Sequence, residues 1–160
     1  MTYRQPVQVL VHPVCCTGRE WRYLMLRRIP QRGGFWQGVS GGVEWGELLA
    51  DAARRELAEE TGFAPLRLEP VDCSYTFPMQ DEWVEMYPPG TSEVIEHVFL
   101  AVVESSQPRL SSDEHDAWRW CTFEEALALL AWPENMVALQ CCQQVVATLS
   151  AGHATQTGLS

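Results

Sequence analysis

Between Gly41 and Phe63 a glycine-rich turn, with Gly41, Gly42 and Gly46, runs into a stretch of good helix formers from Glu47 to Thr61. Leu49, Ala52, Ala53 and Leu57 make an apolar stripe at helical spacing, Glu47 and Asp51 are acids in the first turns, and Gly62 falls where a left-handed cap would end a helix. A helix over 47–61 is therefore predicted. On it Glu56, Glu59 and Glu60 stand at i, i+3 and i+4, which crowds three like charges into one turn, and Arg55 alone cannot neutralise them. A hard divalent cation taking oxygen ligands would turn that repulsion into coordination. Three acids alone are better read as a solvated face. The preceding glycine turn decides between the two, because it lets backbone approach a ligand closely where the helix N-terminus favours negative charge.

The flanking sequence reads as strands and further helices. Strands are expected over Pro6–Val14, where Val7, Val9 and Val11 alternate with other residues, and over Trp21–Leu26, Leu66–Phe77, Glu93–Val103 and Ala117–Cys121. Loops are expected over Arg27–Gly34 and over the segment carrying Pro78, Pro88, Pro89 and Gly90, the latter a candidate substrate-facing loop. Thr122 and Glu125 form a capping-box pattern for a short helix, and Pro133 suits the first turn of a last helix to about Leu149. The expected organisation is one domain over 1–149 and a loose polar tail over 150–160, without repeats or a linker.

The 160-residue chain is 46% hydrophobic and 20% charged, which suits a globular fold, and no apolar run is long enough to span a bilayer. The polar start, Met1–Gln5, lacks the apolar stretch of a secretion signal, so a cytoplasmic location is expected. A net charge of −10 argues against binding a nucleic-acid polymer, though a small polyphosphate remains compatible if a divalent cation offsets the carboxylates. All 11 basic residues are Arg, so any phosphate clamp must be guanidinium; Arg27, Arg28 and Arg32 are the candidates before the helix. The six cysteines show no zinc spacing and read as reduced, mostly buried residues.

Gly41, then five residues to Glu47, then seven to Arg55-Glu56-Leu57-Ala58-Glu59-Glu60-Thr61-Gly62-Phe63, resembles the complete signature box of the Nudix hydrolases. The resemblance implies an α/β/α sandwich on a mixed β-sheet, and Mg²⁺ or Mn²⁺ bound by the box. It implies Glu56, Glu59 and Glu60 as metal ligands with Glu47 supporting the site, Arg55 orienting a carboxylate, and Gly41 at the substrate. It also implies water attack on a diphosphate bond, with Glu56 the first candidate base and Glu114, in Ser111-Ser112-Asp113-Glu114-His115, the second.

Phe35-Trp36-Gln37-Gly38-Val39, Asp72-Cys73, Glu114-His115 with Trp120, and Trp132 with Asn135 are further similar to the dihydroneopterin triphosphate pyrophosphatase branch of that family. Glu114-His115 and Trp120 also resemble its diadenosine tetraphosphate hydrolases. The implied substrate is a pterin or nucleoside triphosphate; a dinucleoside polyphosphate and an oxidised nucleotide are the alternatives. A non-catalytic nucleotide sensor ranks below these, because all four box glutamates are present. Trp36, Trp83 and Tyr87 are candidate stacking surfaces for a flat heterocycle, with buried packing the stronger reading for Trp36 and exposed stacking for Trp83 and Tyr87. The expected partner is a small phosphorylated molecule, and the expected assembly a monomer or homodimer.

Overall fold

The computed structural model describes the backbone of residues 2–157 and the side chains of residues 2–150. Its centre is β1 (Val7–Thr17), which pairs parallel with β6 (Glu93–Val102) and antiparallel with β2 (Glu20–Arg28) and β4 (Val39–Gly42). Outward from β2 lie β3 (Trp36–Gln37) and β7 (His115–Cys121), both antiparallel to it; outward from β6 lies the antiparallel β5 (Arg67–Pro78). The sheet is therefore mixed. One face is covered by α1 (Leu49–Thr61), the other by α2 (Phe123–Leu129) and α3 (Pro133–Thr157), which makes an α/β/α sandwich.

The pleat of β1 explains how both layers are held. Successive side chains point to opposite faces, so Val9 and Val11 join Leu24, Leu26, Ala52, Ala53 and Leu57 beneath α1. Leu10 and Val14 join Met25, Val98, Leu100, Ala138 and Leu139 beneath α3. The expected alternation of apolar and other residues in β1 is thereby corrected. With helices on both faces the strand is buried on both sides, and Val9 through Cys15 are all enclosed.

Other boundaries follow from local chemistry. α1 begins at Leu49 rather than Glu47, because Leu48 keeps an extended backbone and the Glu47 carboxylate accepts the Glu44 amide at 3.0 Å in the preceding turn. It ends as expected at Gly62, with φ of 77° and its N–H on the Ala58 carbonyl. Thr122 and Glu125 form a reciprocal capping box for α2. The last helix continues past Leu149 to Thr157, so the described part of the expected loose tail is helical, and 158–160 lie outside the described residues. The proline-rich stretch after β5 folds into a 3-10 turn over Asp81–Met86, and the Arg4 amide binds the Met86 carbonyl at 2.7 Å. No helix among the described residues is long and apolar enough to cross a membrane.

His12, in the middle of β1, is fully enclosed and neither ring nitrogen has a hydrogen-bond partner. Burial lowers its pKa from 6.5 to about 4. A pKa lower in the folded than in the unfolded state means that this residue's contribution to stability is present above pH 6.5 and is lost as pH falls toward 4. The melting temperature of the wild type is expected to drop across that window, and His12→Leu to drop less, as a thermal-melt series in matched buffers would show. Equal slopes would mean that His12 does not set this dependence.

Candidate active site

The site grows from the contact between β4 and α1. At Gly41 there is no room for a side chain: a Cβ there would overlap the carboxylate of Glu56. Glycine is thus required at this position for close approach rather than for backbone flexibility. Arg55 gathers the turn around that contact. Its Nε and Nη2 donate to the two Glu47 carboxylate oxygens at 2.9 Å each, Nη1 donates to Glu56 Oε1 at 2.8 Å, and Nη2 also donates to the Gly42 carbonyl at 2.8 Å. The paired guanidinium, more than any other group, holds the Glu47 carboxyl down at about 2. For Glu56 burial outweighs Arg55, and its carboxyl is pushed up.

Along α1 the three acids separate. Glu56 and Glu60 face the sheet, whereas the Glu59 side chain is 58% exposed and lies 3.6 Å from Arg55 at the rim. The expected single acidic face is therefore a buried pair with one outer carboxylate. Glu60 is 2% exposed, and its Oε2 has no hydrogen-bond partner. Burial first, then the neighbouring Glu114 and Glu56 carboxylates, push it up to about 10. His115 Nε2 stands 3.6 Å from Glu60 Oε1, and burial, followed by Arg28 and Arg32, lowers the imidazole to about 4, so the two do not form an ion pair at neutral pH.

Glu60, Glu114 and His115 can each point one ligand atom into a common space, those atoms lying within 4.8 Å of one another. Two carboxylates and a neutral imidazole, with buried atoms left unbonded, suit a divalent cation, which would offset the repulsion that otherwise raises Glu60. The backbone fixes this arrangement: the Ile29 amide donates to the Glu114 carbonyl at 2.9 Å, tying the end of β2 to the Ser111–His115 turn. The acid with an unresolved role in the sequence, Glu114, is thus beside the box helix. His115, singled out beside Glu114 but given no ligand role, comes to Glu60 through the β2–β7 pairing.

The remaining candidates are placed unevenly. Glu47 stands apart from the three-residue group, both oxygens taken by Arg55 and one also by the Glu44 amide. Arg28 lies near Glu60 and Glu114, its buried Nε unpaired, and Arg32 is exposed beside it in the 3-10 turn Pro30–Arg32. Arg27 is engaged elsewhere, with Nε on Asp116 at 2.8 Å and its guanidinium 5.9 Å from the Trp36 ring centre. Trp36 is half-buried against the α3-side core, as packing predicted. Tyr87 is 5% exposed, which corrects its reading as a stacking surface: the 3-10 turn folds it inward, leaving the half-buried Trp83 as the aromatic of that segment with some exposure.

An acidic, glycine-backed loop and helix stand against a mixed α/β/α sandwich, and a cluster of carboxylate oxygens of this kind suits a divalent cation. The NUDIX domain profile matches residues 6–140, and the chain belongs to the Nudix hydrolase family. It is 32% identical over 142 residues to the dihydroneopterin triphosphate diphosphatase of Escherichia coli, covering 86% of this chain and 92% of that one. The solved structure of the E. coli dihydroneopterin triphosphate pyrophosphohydrolase matches with a TM-score of 0.69 at 28% identity, over 88% of this chain and 96% of that one. An RNA pyrophosphohydrolase of Caulobacter vibrioides is 36% identical over 130 residues, 76% of this chain and 73% of the relative. The chain also matches an octanoyltransferase of Myxococcus xanthus, 42% identical over 113 residues and 71% of this chain, but this spans only 30% of that protein's length.

Proposed function

We propose that the protein is a Mg²⁺-dependent pyrophosphohydrolase that cuts the diphosphate linkage of a pterin or nucleoside triphosphate with water. The observation that carries this reading is the meeting of Glu60, Glu114 and His115 in one buried space beside the box helix. Glu60, Glu114 and His115 would hold the cation, with Glu56 beside Glu60 and Glu59 at the exposed rim. A divalent cation bound there supplies charge neutralisation on the diphosphate oxygens. Arg28 and Arg32 lie near the same cluster, in β2 and the following turn, and would meet the phosphate charge there. Glu56 accepts the proton of the attacking water as its oxygen bonds phosphorus and the bridging P–O bond breaks, the diphosphate leaving; Glu114 is the second candidate for that step, in which case it would not be a ligand of the cation. Glu47 acts through Arg55, which holds Glu56 in place.

Incubating the purified protein with Mg²⁺ and dihydroneopterin triphosphate, canonical and oxidised nucleoside triphosphates, or diadenosine tetraphosphate, with and without chelator, tests the reading by product identity. Chelator-sensitive release of diphosphate from a triphosphate is expected. Cleavage of the dinucleotide alone would move the assignment to polyphosphate-bridged dinucleotides, and cleavage of nothing would leave a nucleotide-binding module. The Caulobacter relative, named an RNA pyrophosphohydrolase, supports a second reading, with RNA as the substrate. The charge of −10 opposes it, so a short triphosphorylated oligonucleotide belongs in the same panel.

A further inference from the structure

On the face of the sheet beneath α3, the inward side of β6 is Val94, Glu96, Val98 and Leu100, so one carboxylate interrupts an apolar row. Glu96 is only 6% exposed, and no cation among the described residues compensates it; its one protein partner is the Tyr75 hydroxyl, which donates to Oε1. Asn135 Nδ2 donates to that same hydroxyl at 3.0 Å and fixes the tyrosine from the first turn of α3. The second Glu96 oxygen has no hydrogen bond to a described side chain, yet it is not among the fully enclosed unpaired atoms. A buried carboxylate held by one hydroxyl is a poor stabilising device, because desolvation disfavours its charge and no ion pair offsets the cost. Paired N–H donors from a ligand would supply what the protein leaves out.

The hydrogen-bonded chain from Glu96 through Tyr75 and Asn135 leads to an exposed aromatic at the start of α3. Trp132, 51% exposed just before α3, meets Phe35 edge-on at 6.0 Å between ring centres, and the Trp132 carbonyl accepts the Asn135 amide. Gln8 of β1 is paired with Glu96 on one side and with Gly42 on the other. Glu96 thus lies two strand spacings, about 10 Å, from the glycines that back the box carboxylates. Glu96 and the box carboxylates lie on opposite faces of the sheet, so a ligand touching both would pass over the strand ends at Val7 and Gly42.

We propose that Glu96, held by Tyr75 and Asn135, accepts the adjacent ring N–H and exocyclic amino N–H of a 2-amino-4-oxo-pyrimidine ring, the edge that guanine and pterins share. This selects among the triphosphates of the proposed function and rests on that reading for the position of the phosphates. Adenine and cytosine lack this pair of donors, and hypoxanthine keeps the ring N–H but loses the amino group, so the three separate the two contacts.

Calorimetry with GMP, IMP and AMP, which have no anhydride to cut, measures ring selection independently of hydrolysis. Wild type is expected to bind GMP at least about tenfold more tightly than IMP or AMP, the scale of one hydrogen bond to a buried charged group. Glu96→Gln is expected to lose most of that preference while keeping its melting temperature. Tyr75→Phe, which loosens Glu96 without removing it, should fall between the two. Initial rates on GTP, ITP, ATP and dihydroneopterin triphosphate should rank in the same order and show which ring source is used. No preference for GMP over IMP in the wild type, undetectable GMP binding, or an unchanged preference in Glu96→Gln overturns the proposal. A GMP preference with no turnover of any triphosphate would instead remove the hydrolase reading and leave this one standing.

Discussion

Glu60→Gln is expected to lower turnover at saturating Mg²⁺ on the order of a thousandfold, the scale of losing several kcal/mol of metal-assisted transition-state stabilisation. The substitution keeps the side-chain volume and removes the ability to ionise onto a cation. Glu60 is the most deeply buried of the box acids, and it is pressed on one side by Glu56 and on the other by Glu114. One of its oxygens has no hydrogen-bond partner and its contact with Glu56 is one a carboxamide can also make, so without metal the variant should melt at or above the wild-type temperature. Adding Mg²⁺ should raise the wild-type melting temperature and leave that of Glu60→Gln nearly unchanged, because ligand binding stabilises only the state that holds it. Glu59→Gln is the companion variant. Its carboxylate is exposed at the rim, so a smaller loss is expected; a larger loss there, with near-wild-type turnover in Glu60→Gln, would move the metal centre outward from the buried group.

What could be read from sequence follows the range of the interactions involved. α1 and its cap were legible because a stripe, a glycine and a row of helix formers act within a few residues of one another. The burial of Glu56 and Glu60 carried a signal that the reading of a single acidic face did not use. The apolar positions 49, 52, 53 and 57 continue through 56 and 60 at the same spacing, whereas 59 leaves the stripe. Glu96 carried a similar signal, sharing the parity of Val94 and Val98 in a strand. Neither the role of His115 nor that of Tyr75 was encoded locally. His115 reaches Glu60 only through the pairing of β7 with β2, and Tyr75 reaches Glu96 only through the register of β5 on β6. The inward turn of Tyr87 likewise depends on a 3-10 segment that proline content alone reads as an open loop.

Arg55→Ala is expected to lower folding stability by about 3 kcal/mol and metal affinity about 10- to 100-fold. Arg55 is a positioning residue with four bonds to make: two to Glu47, one to Glu56 and one to the Gly42 carbonyl. Removing it leaves Glu56 buried against Gly41 and Glu60 with no cation, and it frees the turn that sets the start of α1. A chemical-denaturation curve and a metal titration on the same sample separate the two effects. Arg55→Lys distinguishes charge from shape: an ammonium can neutralise Glu56 but cannot span Glu47, Glu56 and the Gly42 carbonyl together. Lys should therefore recover much of the stability and little of the metal affinity. Full recovery of both would mean that the site needs a positive charge at this point and not the planar fork; recovery of neither would show that the Gly42 carbonyl contact, which orders the glycine turn, matters more than the carboxylates it joins.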